Sequence, residues 1–187
     1  MDHGLRIRRA GREDAATLAR LRIETWQASY AGILPDAALI GMRLDPETAA
    51  WRRRLAAPPR ATATLVADLA LDALGVVFEP VAFGACGPAR HATPLCDGEV
   101  TDLYVVPDWQ GQGIGRRLMG ALFRELYDRG HSDAVIWVLE KNPARFFYEH
   151  MGGRFAVQRQ DTIGGQTCGI VGYVWPDLED WLRQVRA

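Results

Sequence analysis

The run from Glu99 to Gly130, "EVTDLYVVPDWQGQGIGRRLMGALFRELYDRG", constrains this chain more than any other. Its opening, "EVTDLYVV", alternates apolar and polar residues as a half-buried strand does. Its last part places Ile114, Leu118, Leu122 and Leu126 on one helical face and stops at Gly130. Between them, Gly111, Gly113 and Gly115 occupy every second position. A loop this bare can turn successive N–H groups inward. The helix behind it adds unpaired N–H groups and the positive end of its dipole. With Arg116 and Arg117 beside it, this junction predicts a cradle for a pyrophosphate.

Two common phosphate ligands are excluded by spacing. The Walker pattern requires GK[ST], which is absent, and the dinucleotide fingerprint requires glycine where Arg116 stands. A formal net charge of -1 offers no basic field for nucleic acid or an anionic membrane surface. Cys86, Cys96 and Cys168 form no CxxC, and His3, His91, His131 and His150 form no HxxxH, so neither a disulfide framework nor a metal is expected. The polar start "MDHGLRIRRAGRED" has no signal-peptide core, and "LALDALGVVF" is too short to span a bilayer, so a cytoplasmic location is expected. A length of 187 residues suits one domain over 1–187 with a sizeable core.

Elsewhere the pattern is mixed. "LRIRR" reads as an opening strand, and the segment around Leu18, Leu21 and Thr25 to Trp26 as a helix stopped by Gly32. Short helices are predicted from Pro35 and from Pro46. "TATLVAD" and "EPVAFGACG" read as strands joined by a loop around Leu69 to Gly75, and "PARHATPLCDG" as a polar loop carrying a surface histidine, His91. "AVIWVLE" is an apolar strand buried on both faces, and "NPARFFYEHM" a helix capped by Asn142 and closed at Gly152–Gly153. Gly164–Gly165 marks a hairpin, and "PDLEDWLRQVR" a closing helix. This order predicts a mixed α/β fold with antiparallel hairpins rather than a repeating βαβ array.

The loop also fits [QR]-x-x-G-x-[GA] through Gln110, Gly113 and Gly115, and this resembles the coenzyme-A loop of the GNAT superfamily of N-acetyltransferases. The likeness extends over most of the chain. "EVTDLYVVPDWQGQGIGRRLM" is similar to the family's fourth strand, loop and helix, and "WVLEKNPARFFYEHMGGRF" to its fifth strand and the helix beyond. "ETWQASYAGILPD" and "GYVWPDL" resemble the first helix and closing strand of one bacterial branch. The resemblance implies a twisted mixed sheet of about seven strands flanked by helices, its fourth and fifth strands splayed around acetyl-CoA. It further implies that Leu103, Tyr104 and Val105 offer main-chain groups to pantetheine. Gln110, Gly111, Gln112, Gly113, Ile114, Gly115 and Arg116 would hold the pyrophosphate, with Asn142 a further pantetheine contact. Dimers are common in the family, and no sequence feature here decides for or against a homodimer.

Acetyl transfer needs a neutral amine. For a lysine-like amine, being neutral at pH 7 costs roughly 4–5 kcal/mol, and for an α-amino group about 1 kcal/mol. The departing CoA thiolate needs a proton or a donor. The resemblance puts Tyr148, six residues after Asn142, near that sulfur as the acid. The commoner family pattern has one more residue between the two. Glu99 occupies the base position of the family's histone acetyltransferases, and alternation places it on one face with Thr101 and Leu103, leaving Asp102 on the other. Glu140 occupies the base position of the ribosomal-protein N-terminal acetyltransferases. Trp26 and Tyr30 fall where the branch borders its acceptor, although aromatic residues four apart on a helix are more often core. The expected partner is a small-molecule or peptide amine, and acetyl-CoA is the expected cosubstrate. A module that binds acyl-CoA without turnover is the rival reading.

Overall fold

In the computed structural model, which describes residues 4–71, 77–93 and 96–186, the alternating segments line up in a seven-stranded sheet. The strands are β1 (Leu5–Arg9), β2 (Ala63–Ala70), β3 (Phe78–Thr93), β4 (Cys96–Val105), β5 (Ala134–Leu139), β6 (Arg154–Ile163) and β7 (Gln166–Trp175). Their order is β1-β2-β3-β4-β5-β7-β6. Neighbours run antiparallel except β4 and β5, which are parallel. That single parallel pair requires a crossover, and the helix predicted after the glycine loop supplies it.

The helices are α1 (Ala15–Ser29), α2 (Asp36–Ile40), α3 (Leu44–Ala56), α4 (Ile114–Asp128), α5 (Ala144–His150) and α6 (Leu178–Arg186). They cover both faces of the sheet. On one face α4 buries Leu118, Met119, Leu122, Phe123 and Leu126 completely against Ala67, Val81, Ile136 and α6. Full burial of such a side chain contributes about 1.5–3 kcal/mol, so this one helix face is a main source of stability. On the other face Leu18 and Leu21 of α1 and Trp51 of α3 pack on Val66 and Phe83. Trp175 and Trp181 both donate their indole N–H to the Met151 carbonyl, at 3.0 and 2.7 Å, which ties the end of α5 to β7 and α6. β5 is buried along its length except for half-buried Trp137, as its apolar run predicts.

Some boundaries differ from the sequence reading. β3 continues to Thr93 and β4 begins at Cys96, so most of the predicted polar loop is a long hairpin. The His91 side chain and part of the predicted Leu69–Gly75 loop lie outside the described residues. α3 begins at Leu44, which leaves Pro46 in the first turn, where its missing N–H breaks no helical bond. α1 ends at Ser29, ahead of Gly32, when the Tyr30 N–H makes its bond to Trp26 O at 3.0 Å.

The larger difference is a β-bulge. β3 and β4 shift register between Ala85 and Cys86, which pair with Asp102 and Val100, so Thr101 is the extra residue. Val100, Leu103 and Val105 face the α4 core. Thr101 and Asp102 both bond Arg54 of α3, and Tyr104 joins the α1 side. Glu99 therefore shares a face with Thr101 and Asp102 and not with Leu103, which corrects the simple alternation.

Candidate active site

β4 and β5 pair only through Gly98↔Ala134, Glu99↔Val135 and Val100↔Ile136. Beyond that point the strands part, although β4 stays paired to β3 as far as Val105. The edge of β4 from Thr101 to Val105 therefore has no strand opposite it. The gap opens into a cavity of about 820 Å³, large enough for a cofactor-sized ligand.

Leu103, Tyr104 and Val105 form one wall of this cavity, and Ile136, Trp137 and Val138 of β5 the other. Gln110, Gly111, Gly113, Gly115 and Arg116 line one end. Gly111 and Gly113 have φ of 74° and 81°, a region where a side chain is strained, and a Cβ on either would meet nothing within 4 Å. The backbone turn itself is what requires glycine there. The first bond of α4 runs from the Arg117 N–H to Gly113 O at 3.1 Å, which leaves the N–H groups of Ile114, Gly115 and Arg116 ahead of it. The sequence reading expects these donors to face a pyrophosphate.

The side chains around the loop divide. Gln110 folds back and donates Nε2–H to Val105 O at 2.8 Å. Gln112 donates to Asp108 O at 3.2 Å, and Ile114 is buried in the core, so neither side chain lines the cavity. Arg116 is exposed at the cavity rim. Arg117 turns away and donates to Leu5 O at 3.3 Å.

Asn142 and Tyr148 line the cavity from the α5 side. Asn142 accepts the Ala144 N–H on Oδ1 at 2.9 Å, acting as the cap its position predicts. Burial pushes the neighbouring Tyr30 phenol up, and Asn142 offsets part of that rise. Burial pushes the Tyr148 phenol well above the ordinary tyrosine range, with Tyr30 adding to the effect. Tyr148 therefore holds its proton at neutral pH. Tyr104 is raised in the same way by burial and by Asp102.

A second chamber of about 290 Å³ adjoins the first, and Tyr30, Thr101, Asp102, Tyr104, Trp137 and Val138 line both. Trp26, Arg22 and Arg90 line the chamber alone. Trp26 donates its indole N–H to the Tyr104 hydroxyl at 3.0 Å and carries the Arg22 guanidinium 4.6 Å above its ring. Trp26 and Tyr30 also pack on the cluster around Leu34 and Leu139. They are wall and core at once.

Neither proposed carboxylate base lines either cavity. Glu99 is fully buried and takes the Arg90 guanidinium on Oε1 at 2.6 and 3.0 Å and the Arg90 N–H on Oε2 at 2.8 Å. Glu140 is exposed beyond the end of β5, its carboxylate over Gly169. The acidic residue that reaches both cavities is Asp102, which strict alternation would have placed elsewhere. Thr25 and Phe147 also line the larger cavity without a motif to mark them. Among the described residues no group of three or more His, Cys, Asp or Glu is arranged to hold a metal ion, and no helix is long and apolar enough to cross a membrane.

A family model described as an acetyltransferase (GNAT) domain matches residues 69–152, which include the splayed strands, the loop and Tyr148. A probable N-acetyltransferase of Mycobacterium tuberculosis is 30% identical over 175 residues, covering 90% of this chain and 92% of that protein. The uncharacterized N-acetyltransferase YuaI of Bacillus subtilis is 28% identical over 172 residues, covering 92% of this chain and 93% of YuaI. Among solved structures, the PaiA N-acetyltransferase of Thermoplasma acidophilum in complex with coenzyme A superimposes with a TM-score of 0.64 at 20% identity, over 89% of this chain and 97% of that one. At that identity the superposition establishes the fold. Together with the splayed strands and the glycine loop, these matches show that the chain belongs to the GNAT superfamily of N-acetyltransferases, an acyltransferase family.

Proposed function

We propose that this acyltransferase moves an acetyl group from acetyl-CoA directly to the amine of a small molecule or peptide, with both substrates bound together. The observation that carries this reading is the parting of β4 and β5 beyond Val100 and Ile136, which opens one cavity beside the glycine loop and joins it to a second. The thioester supplies an activated acyl group. The free main-chain edge of Leu103, Tyr104 and Val105 suits the pantetheine arm, in the manner of an added strand. The loop from Gln110 to Arg116 suits the pyrophosphate through Gly111, Gly113 and the first N–H groups of α4.

Direct transfer forms the bond from nitrogen to acetyl carbon and breaks the bond from carbon to sulfur. The amine gives up a proton, and the departing sulfur accepts one. Tyr148, buried and protonated, suits the donor's role toward that sulfur. No cysteine lines either cavity, and burial pushes the Cys86 and Cys96 thiols up to about 12, which disfavours an acyl-cysteine route. Glu99 could take the amine's proton only across intervening groups, because Arg90 is its direct partner. Glu140 would need the acceptor to reach past the end of β5.

The test follows CoA release from acetyl-CoA with a thiol reagent across a broad amine panel, with wild type and Tyr148→Phe side by side. Release that depends on an acceptor and falls about 100-fold in kcat in the variant is expected. Saturable acetyl-CoA binding without transfer to any amine would instead favour a sensor.

A further inference from the structure

The smaller chamber has walls of both charges. Asp102 lines both cavities and so stands at their junction, while Arg22 and Arg90 line the chamber alone. Asp102 receives Arg54 at 3.1 Å and the Thr101 hydroxyl at 2.8 Å, both on Oδ2. Among the described residues no hydrogen bond engages Oδ1. Arg22 spends one N–H on Glu47, at 2.6 Å, and Arg90 spends its side-chain bonds on Glu99. A guanidinium has five N–H donors, so each keeps donors to spare. The chamber's charges and their partners comprise three cations (Arg22, Arg54, Arg90) and three anions (Glu47, Glu99, Asp102).

We infer that the acceptor is a compact zwitterion of the amino-acid class, held with its ammonium at Asp102 and its anionic end toward Arg22 and Arg90. The inference rests on the acetyl-transfer reading and adds the substrate class to it. The orientation follows from position. The amine must meet the thioester in the larger cavity, and Asp102 is the carboxylate at the opening between the two. The far end of the acceptor then enters a chamber whose additional charged walls are guanidinium groups. A net-neutral zwitterion adds no net charge to a set already balanced, and each of its ends meets the opposite sign. A polyamine would carry further positive charge against Arg22 and Arg90. The volume of about 290 Å³ is at the small end of ligand sites and fits one residue-sized molecule.

The test measures kcat/KM by CoA release for four sets of acceptors. These are the common α-amino acids, their decarboxylated amines, their carboxamides, and spermidine. At least one amino acid should exceed its own amine and carboxamide by about tenfold or more, the usual margin for a charge-assisted bond. Arg22→Gln should reduce that ratio by about tenfold, and Arg22→Lys should restore part of it. Asp102→Asn should lower kcat/KM for every acceptor. Equal or better turnover of the amines, carboxamides or spermidine overturns the zwitterion while leaving acetyl transfer intact. So does a ratio that Arg22→Gln leaves unchanged. Transfer to none of the panel, by a protein that acetyl-CoA still stabilises against heat, overturns the zwitterion and favours the sensor. If acetyl-CoA neither stabilises the protein nor is consumed, the acetyl-transfer reading itself fails.

Discussion

Thr25 is only 6% exposed, yet its Oγ1 has no hydrogen-bond partner among the described residues, and it lines the larger cavity. An orphaned buried hydroxyl costs about 1–3 kcal/mol, which a helix residue can avoid by bonding back one turn. A hydroxyl left unsatisfied beside a binding cavity is explained if a ligand completes it. Replacing it with a methyl group removes the penalty from the free protein and the bond from the complex. Thr25→Val should therefore stabilise the free protein by up to about 1 kcal/mol. The rise in Tm on adding acetyl-CoA, or acetyl-CoA with an acceptor, should be smaller than in wild type. Calorimetry with and without ligand reads both effects. A variant less stable than wild type without ligand would mean that the hydroxyl already has a partner, such as an ordered water.

At the scale of elements, the turn into α4 and the bulge in β4 show what was legible and what was not. The loop could be read because alternate glycines before an amphipathic helix have few other physical uses, and the structure gives Gly111 and Gly113 positive φ. The hairpin at Gly164–Gly165 and the apolar β5 were legible for similar local reasons. The bulge was not. An extra residue at Thr101 is set by how β4 pairs with β3, a long-range register that strict alternation along one strand cannot report. That one residue turns Asp102 toward the smaller chamber and Glu99 into a closed contact with Arg90, so the carboxylates were the least legible part of the site. The glycine turn can be tested separately from packing. Gly113→Ala keeps open space around its new Cβ but strains the backbone, at a cost of about 1–2 kcal/mol. Gly115 sits inside α4 without positive φ, and a Cβ there would stand 3.4 Å from Phe147 Cζ, a contact the ring can accommodate. Alanine at 115 should then cost little, or gain some of the roughly 1 kcal/mol by which alanine exceeds glycine in a helix. Urea unfolding of the two variants gives this comparison. Equal losses would mean that the loop's conformation is not the constraint.

Over the whole molecule, helices close both faces of the sheet, and titratable groups are buried both beside the parting of β4 and β5 and away from it. The Tyr104 and Tyr148 phenols and the Cys86 and Cys96 thiols are all shifted upward, burial being the largest cause in each. Cys86 lies under α4, with its sulfur 3.6 Å from the Leu122 carbonyl, and burial pushes its thiol up to about 12 from an ordinary 9.0. Above pH 9 the unfolded chain gives up this proton while the folded chain keeps it. The unfolded state then binds fewer protons, so stability falls as pH rises. The full contribution is present below pH 9 and is lost as pH climbs toward 12. One such group removes about 1.4 kcal/mol for each pH unit in that window. Urea unfolding at pH 8 and pH 10, under reducing conditions, should therefore show wild type losing about 1.4 kcal/mol more than Cys86→Ala between the two. The comparison stops at pH 10 because the phenols begin to add their own loss above it. Equal losses in the two proteins would show that the thiol ionises as readily in the folded state as in the unfolded one, and that the floor beneath α4 admits water.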